Sequence, residues 1–120
     1  GAVHLYNQYM NYYTSHYLSS RNPRRGKNIK LGMTVYPNPF NSSTLIRITN
    51  PNQSRIEVFE IFNVLGRRIR TFNLVKSLDS QIMLNWDGKD DRDKEMPQGV
   101  YFGRLMSSAG AYSVKLLYIK

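Results

Sequence analysis

Residues Trp86 to Leu105 read WDGKDDRDKEMPQGVYFGRL, and this stretch decides the fold. It holds the chain's one tryptophan and, in its first ten positions, five of the eight acidic residues: Asp87, Asp90, Asp91, Asp93 and Glu95. Gly88 marks a tight turn just after the tryptophan. Pro97 interrupts any ladder because it has no backbone N–H. Gly99-Val100-Tyr101-Phe102 then reads as a turn glycine opening an aromatic strand, with Tyr101 and Phe102 on opposite faces. A turn, a charged loop, a proline stop and an aromatic strand in succession are β architecture.

The flanks agree. Met33–Tyr36 reads as a strand that ends at Pro37-Asn38-Pro39, and Thr44–Thr49 as a second. Arg55–Phe62 is a third, with Ile56, Val58 and Phe62 expected on one face and Glu57, Phe59 and Ile61 on the other. Asn63-Val64-Leu65-Gly66 is a hairpin loop in which Gly66 supplies a positive φ. Arg67–Leu74, Gln81–Trp86, Gly99–Met106 and Ala111–Ile119 complete seven strands. Short strands at regular spacing predict an all-β, seven-stranded antiparallel sandwich with Trp86 packed between its sheets.

The chain has 120 residues, so it forms one domain with an extension. It contains no cysteine, which excludes disulfides, thiolate catalysis and cysteine-bound zinc. No apolar run approaches the ~20 residues of a membrane span, and no signal-peptide pattern opens the chain. Net charge is +9, but its distribution is uneven. Residues 1–30 carry Arg21, Arg24, Arg25, Lys27 and Lys30 and no acid, so this quarter holds +5 of the total.

Three units follow. Residues 1–18 are a Tyr-rich segment in which Tyr6, Tyr9, Tyr13 and Tyr17 recur at three- and four-residue steps, the spacing of a helix face. Its composition favours helix only weakly, so a helical or irregular segment is expected. Residues 19–30 are a basic linker broken by Pro23 and Gly26. Its charges lack interleaved aromatics, so they read as solvated and not as a nucleic-acid site, and its exposure suits proteolysis. Residues 31–120 are the folded domain.

Catalytic and metal chemistry is sparse. His4 and His16 lie outside the domain, without ligand spacing and without a neighbouring carboxylate. No nucleophile–base set, phosphate loop or HExxH motif occurs, so the reading is not an enzyme, and no cofactor is implied. Asp87, Asp90, Asp91 and Asp93 are weak calcium candidates, because calcium takes six to eight oxygens. Lys89, Arg92 and Lys94 interleave with them, however, and the pattern is not that of an EF-hand.

Several stretches resemble a known family. Tyr36-Pro37-Asn38-Pro39-Phe40-Asn41-Ser42-Ser43-Thr44 is similar to the opening motif of type A C-terminal sorting domains of the type IX secretion system. Ile61-Phe62-Asn63-Val64-Leu65-Gly66-Arg67-Arg68-Ile69 resembles that family's hairpin. Trp86-Asp87-Gly88-Lys89-Asp90, Gly99-Val100-Tyr101-Phe102 with Leu105, and the ending Lys115-Leu116-Leu117-Tyr118-Ile119-Lys120 resemble its later motifs, in the same order. Ser42 stands where the family has proline, and Gln98 where a small residue precedes the glycine.

The resemblance implies an Ig-like sandwich that serves as a secretion address for an upstream cargo in the same chain. It implies the type IX translocon and a sortase-like peptidase as partners, and a destination at the cell surface or outside the cell after passage through the periplasm. Translocon recognition is expected at Gly99, Val100, Tyr101, Leu105 and at Lys115, Leu116, Leu117, Tyr118, Ile119 and Lys120. The remaining motif residues, Pro37, Asn38, Pro39, Phe40, Asn41, Gly66, Trp86, Asp87 and Gly88, are expected to be structural. The last strand reaches the chain end and is expected to offer its edge for strand addition. The alternative is an Ig-like module that binds glycan or protein through the N-terminal tyrosines or the acidic loop.

Overall fold

The computed structural model describes residues 30–75 and 79–120. The Tyr-rich segment and the linker up to residue 29, with the helix expected there, lie outside the described residues. Among the described residues there are seven strands: β1 (Gly32–Tyr36), β2 (Thr44–Thr49), β3 (Ile56–Asn63), β4 (Arg68–Asn73), β5 (Gln81–Trp86), β6 (Gly99–Ser107) and β7 (Gly110–Tyr118). No described residue is helical. The strands form two antiparallel sheets, one ordered β1-β2-β5 and one ordered β4-β3-β6-β7. The expected seven-stranded all-β sandwich is therefore present, with strand ends shifted by a residue.

Alternation builds the core. In β2, Thr44, Ile46 and Ile48 point inward while Leu45, Arg47 and Thr49 are exposed. Ile82, Leu84 and Trp86 of β5 do the same against Gln81, Met83 and Asn85. From the facing sheet come Tyr101 and Leu105 of β6 and Val114, Leu116 and Tyr118 of β7. A period of two with one wet face is what an antiparallel sandwich requires.

β3 departs from the expected pattern. Its ladder with β6 slips between Ile56 and Val58, so Glu57 is an extra residue. A bulge reverses the phase of every later side chain. Ile56, Phe59 and Ile61 consequently all face the core at 0% exposure, and Val58 and Phe62 face outward. The expectation that Ile56 shares a face with Val58 and Phe62 is corrected by this inserted residue. A second slip, between Ile61 and Phe62, pairs Ile61 with Arg70 and Phe62 with Arg68, which leaves Ile69 as the extra residue of β4.

The phase change also turns Glu60 to the outer face, where it is nevertheless 7% exposed. Arg68 from β4 donates to its Oε2 at 2.8 Å, and Arg104 from β6 to its Oε1 at 3.2 Å. The Arg68 hydrogen bond is the largest influence on the carboxyl. Together with Arg104 it outweighs burial and holds the pKa below the ordinary 4.5.

On the inner face Gly103 makes room for Phe59. A Cβ at this position would overlap the Phe59 ring and stand 3.1 Å from Val114 Cγ1. Both neighbours are buried, so neither has space to retreat.

Two outcomes follow. Gly103→Ala overpacks the core and should cost ~1–3 kcal/mol, which lowers Tm by roughly 4–8 °C per kcal/mol in a domain of this size. The double variant with Phe59→Leu should regain part of the loss, measured by thermal melting. For Glu60 the folded pKa is depressed, so its stabilisation is complete above 4.5 and disappears as pH falls through the lower folded value. Melting scans of the protein and of Glu60→Gln should show a constant gap above about pH 5 that narrows in acid.

Candidate functional site

The motif stretches converge on one end of the sandwich. Phe40, Trp86, Tyr101 and Tyr118 come one each from the Tyr36–Thr44, Trp86–Asp90, Gly99–Leu105 and Lys115–Lys120 stretches. Trp86 is fully buried and meets Phe40 edge-on at 5.4 Å between ring centroids and Tyr101 edge-on at 5.2 Å. Phe40 stacks on Tyr118 at 4.9 Å. Gly88, at φ 76°, passes so close that a Cβ there would lie 2.6 Å from Tyr118 Cζ. The turn glycine read from sequence thus has two duties, a positive φ and a close approach to a ring.

The polar ends of these rings fasten the connection between β5 and β6. Trp86 Nε1 donates to Lys89 O at 2.9 Å. The Tyr101 hydroxyl donates to Pro97 O, and the Tyr118 hydroxyl to Glu95 Oε1 at 2.8 Å. Burial first, and then the Glu95 carboxylate, push the Tyr118 hydroxyl above the ordinary tyrosine value, and burial does the same to Tyr101. Both phenols therefore stay protonated donors at neutral pH.

Two carboxylates of the acidic loop accept from its own backbone. Asp87 Oδ1 accepts from Lys89 N, and Asp90 Oδ1 accepts from Arg92 N and Lys94 N. Asp93 pairs with Lys89 Nζ at 3.8 Å. Among the described residues no group of three or more acidic or histidine side chains is placed to hold a metal. Of the four calcium candidates, Asp87 and Asp90 are engaged in local Asx-type turns and Asp93 in an ion pair.

Asp91 has a different task. Its N–H donates to Ile69 O at 3.0 Å, and its Oδ1 accepts Thr71 N–H at 3.0 Å. One residue thereby pairs two backbone groups on the outer edge of β4. The same device serves β7. The Asn38 side-chain amide donates to Lys115 O at 2.8 Å and accepts Leu117 N–H at 2.9 Å. Phe40 continues the cover, its N–H donating to Leu117 O and its carbonyl accepting Ile119 N–H. Thr44 Oγ1 donates to Pro37 O at 2.7 Å and holds the segment in place. The edge expected to serve strand addition is partly taken: β7 is an edge strand, but backbone groups of Lys115, Leu117 and Ile119 are already paired. Pro37 and Pro39 have no N–H to offer, so a side-chain amide between them was the sequence signal for this cap.

The expected recognition residues separate into two sets. Tyr101, Leu105, Leu116 and Tyr118 are buried in the core. Gly99, Ile119 and Lys120 are exposed, and Val100, Lys115 and Leu117 are half-buried. Antiparallel pairing sets Gly99 opposite Tyr118 and Val100 opposite Leu117, so the accessible members of both motifs adjoin. Lys120 extends this end, with its N–H on Gln98 Oε1 at 3.2 Å and its ammonium 3.7 Å from Glu95. Of the structural set, Phe40, Trp86 and Gly88 are buried, Gly66 turns the hairpin at φ 81°, and Asn41 is exposed.

Asn38→Ala removes two exposed hydrogen bonds and should cost about 1–2 kcal/mol. Amide exchange should quicken at Leu117 and Ile119 more than at β2 amides, as read by hydrogen–deuterium exchange.

The family model for the secretion system C-terminal sorting domain matches residues 34–120. No curated protein matches the chain. Among solved structures the chain is similar to dimeric latent PorU from Porphyromonas gingivalis, with 21% identity and a TM-score of 0.55, over 74% of this chain and 9% of that one. It is similar also to PorZ of the same organism, described as an essential surface component of the type-IX secretion system, with 18% identity and a TM-score of 0.53, over 74% of this chain and 12% of PorZ. Those two likenesses are of fold, and the chain spans a small part of either protein. The family match takes in all the stretches that build the aromatic end, and on it the chain belongs to the secretion system C-terminal sorting domains.

Proposed function

We propose that this domain is a non-catalytic address that takes an upstream cargo through the type IX outer-membrane translocon, for release or for attachment at the cell surface. The cargo reaches the periplasm first, and the folded domain is read there. A sortase-like peptidase then acts within the basic linker, residues 19–30. The observation that carries this reading is the pairing of Gly99 and Val100 with Tyr118 and Leu117. It brings the accessible residues of two distant motifs to one end of a self-stable sandwich. An address read after folding needs such a surface, because a linear tag would be hidden by the core.

The burial pattern also dictates the test. Deleting Lys115–Lys120 would remove Leu116 and Tyr118 from the core, at 0% and 2% exposure, and would unfold the domain. Leu117→Thr and Ile119→Thr spare both. A reporter fused to residues 19–120 should reach the surface of a bacterium carrying the type IX system and fail to do so in a translocon mutant. With the paired substitutions the purified domain should keep its melting temperature while the reporter stays in the periplasm. Undiminished surface arrival would rule out this end as the signal.

A further inference from the structure

The outer face of the four-stranded sheet departs from the polar-out rule. The ladders align Arg68, Phe62, Phe102 and Lys115 in one row across β4, β3, β6 and β7. Val58 lies opposite Met106 on the same face. These four apolar side chains are half-buried, where a solvated sheet face carries polar ones. The other sheet lies against the opposite side, so no described strand covers them.

The charges around them are one-sided. Glu60 is the one acid in these central rows and is held by both Arg68 and Arg104. Those two arginine side chains remain 58% and 48% exposed, so each keeps donors directed to solvent. The Arg104 guanidinium lies 4.9 Å from the centre of the Phe62 ring. Lys115 adds a third positive charge at the end of the aromatic row.

We propose that this face docks an acidic, apolar segment of a partner protein. Apolar side chains of the partner cover Phe62 and Phe102, and its carboxylates reach Arg68 and Arg104 at the rim. Phenylalanine has no polar edge with which to orient a sugar, which favours a polypeptide over a glycan. Residues 1–30 carry five basic residues and no acid, so the chain's own N-terminal segment has the wrong charge. A second copy placed face to face would set arginine against arginine. The proposal does not rest on the export reading: of the residues it uses, only Lys115 is also an expected recognition residue, and Phe62, Phe102, Arg68 and Arg104 are not.

The test uses the full chain, isotope-labelled, with synthetic strand-length peptides in which glutamate alternates with leucine or phenylalanine. Titration should shift amides of residues 58–62 and 100–104, weaken with salt, and fail with the lysine counterpart. Phe62→Thr with Phe102→Thr should weaken binding about tenfold or more. Arg68→Gln, which leaves Arg104 on Glu60, should weaken it with the fold intact. Equal binding of the lysine peptide, shifts confined to β1, β2 and β5, heparin bound on this face in place of the peptide, or self-association of the chain through it would each overturn the proposal.

Discussion

The domain depends on the packing of Trp86 against three aromatic rings drawn from distant parts of the chain. Each edge-on or stacked pair contributes about 0.5–1.5 kcal/mol beyond the area it buries. Only a closed sandwich brings Phe40, Trp86, Tyr101 and Tyr118 together, so the cluster forms when both sheets are in register and not before. Its polar ends then fasten the Asp87–Gln98 connection through Lys89, Glu95 and Pro97. The stretch that looks most like a binding site in sequence is in this way mostly scaffold.

This connection and the one between β1 and β2 manage the edges of the four-stranded sheet. Unpaired edge strands invite pairing with other chains. Here Asp91 covers β4 and the Asn38–Phe40 segment covers the end of β7. Covered edges of this kind lower the tendency of a folded domain to pair with other chains. At that end the backbone of residues 115–119 is paired on its outer side, while the side chains of Leu117 and Ile119 stay accessible.

Much of the fold was legible in the residues. Alternation in Thr44–Thr49 and Gln81–Trp86 places the inner face without ambiguity, and Pro37-Asn38-Pro39, Gly66 and Gly88 mark turns by backbone chemistry alone. The facing of β3 was not legible, because the bulge at Glu57 is a property of pairing with β6 and leaves no mark on the strand's own hydrophobic pattern. The Glu60 ion triad was hidden for the same reason: its arginines lie 8 and 44 residues away. In the candidate site the motif residues were identified as a set, but their division into buried and accessible members was not.

The sequence by itself determined the all-β class, the number of strands and the family, because these rest on short-range period, turn residues and motif order. Tertiary structure alone decided three things. It turned Glu60 outward between two arginines, it used Asn38 and Asp91 to pair backbone groups at sheet edges, and it split the terminal motif between core and surface. Each depends on which strands lie side by side and in what register. That is a contact between residues far apart in the chain, and no local pattern encodes it.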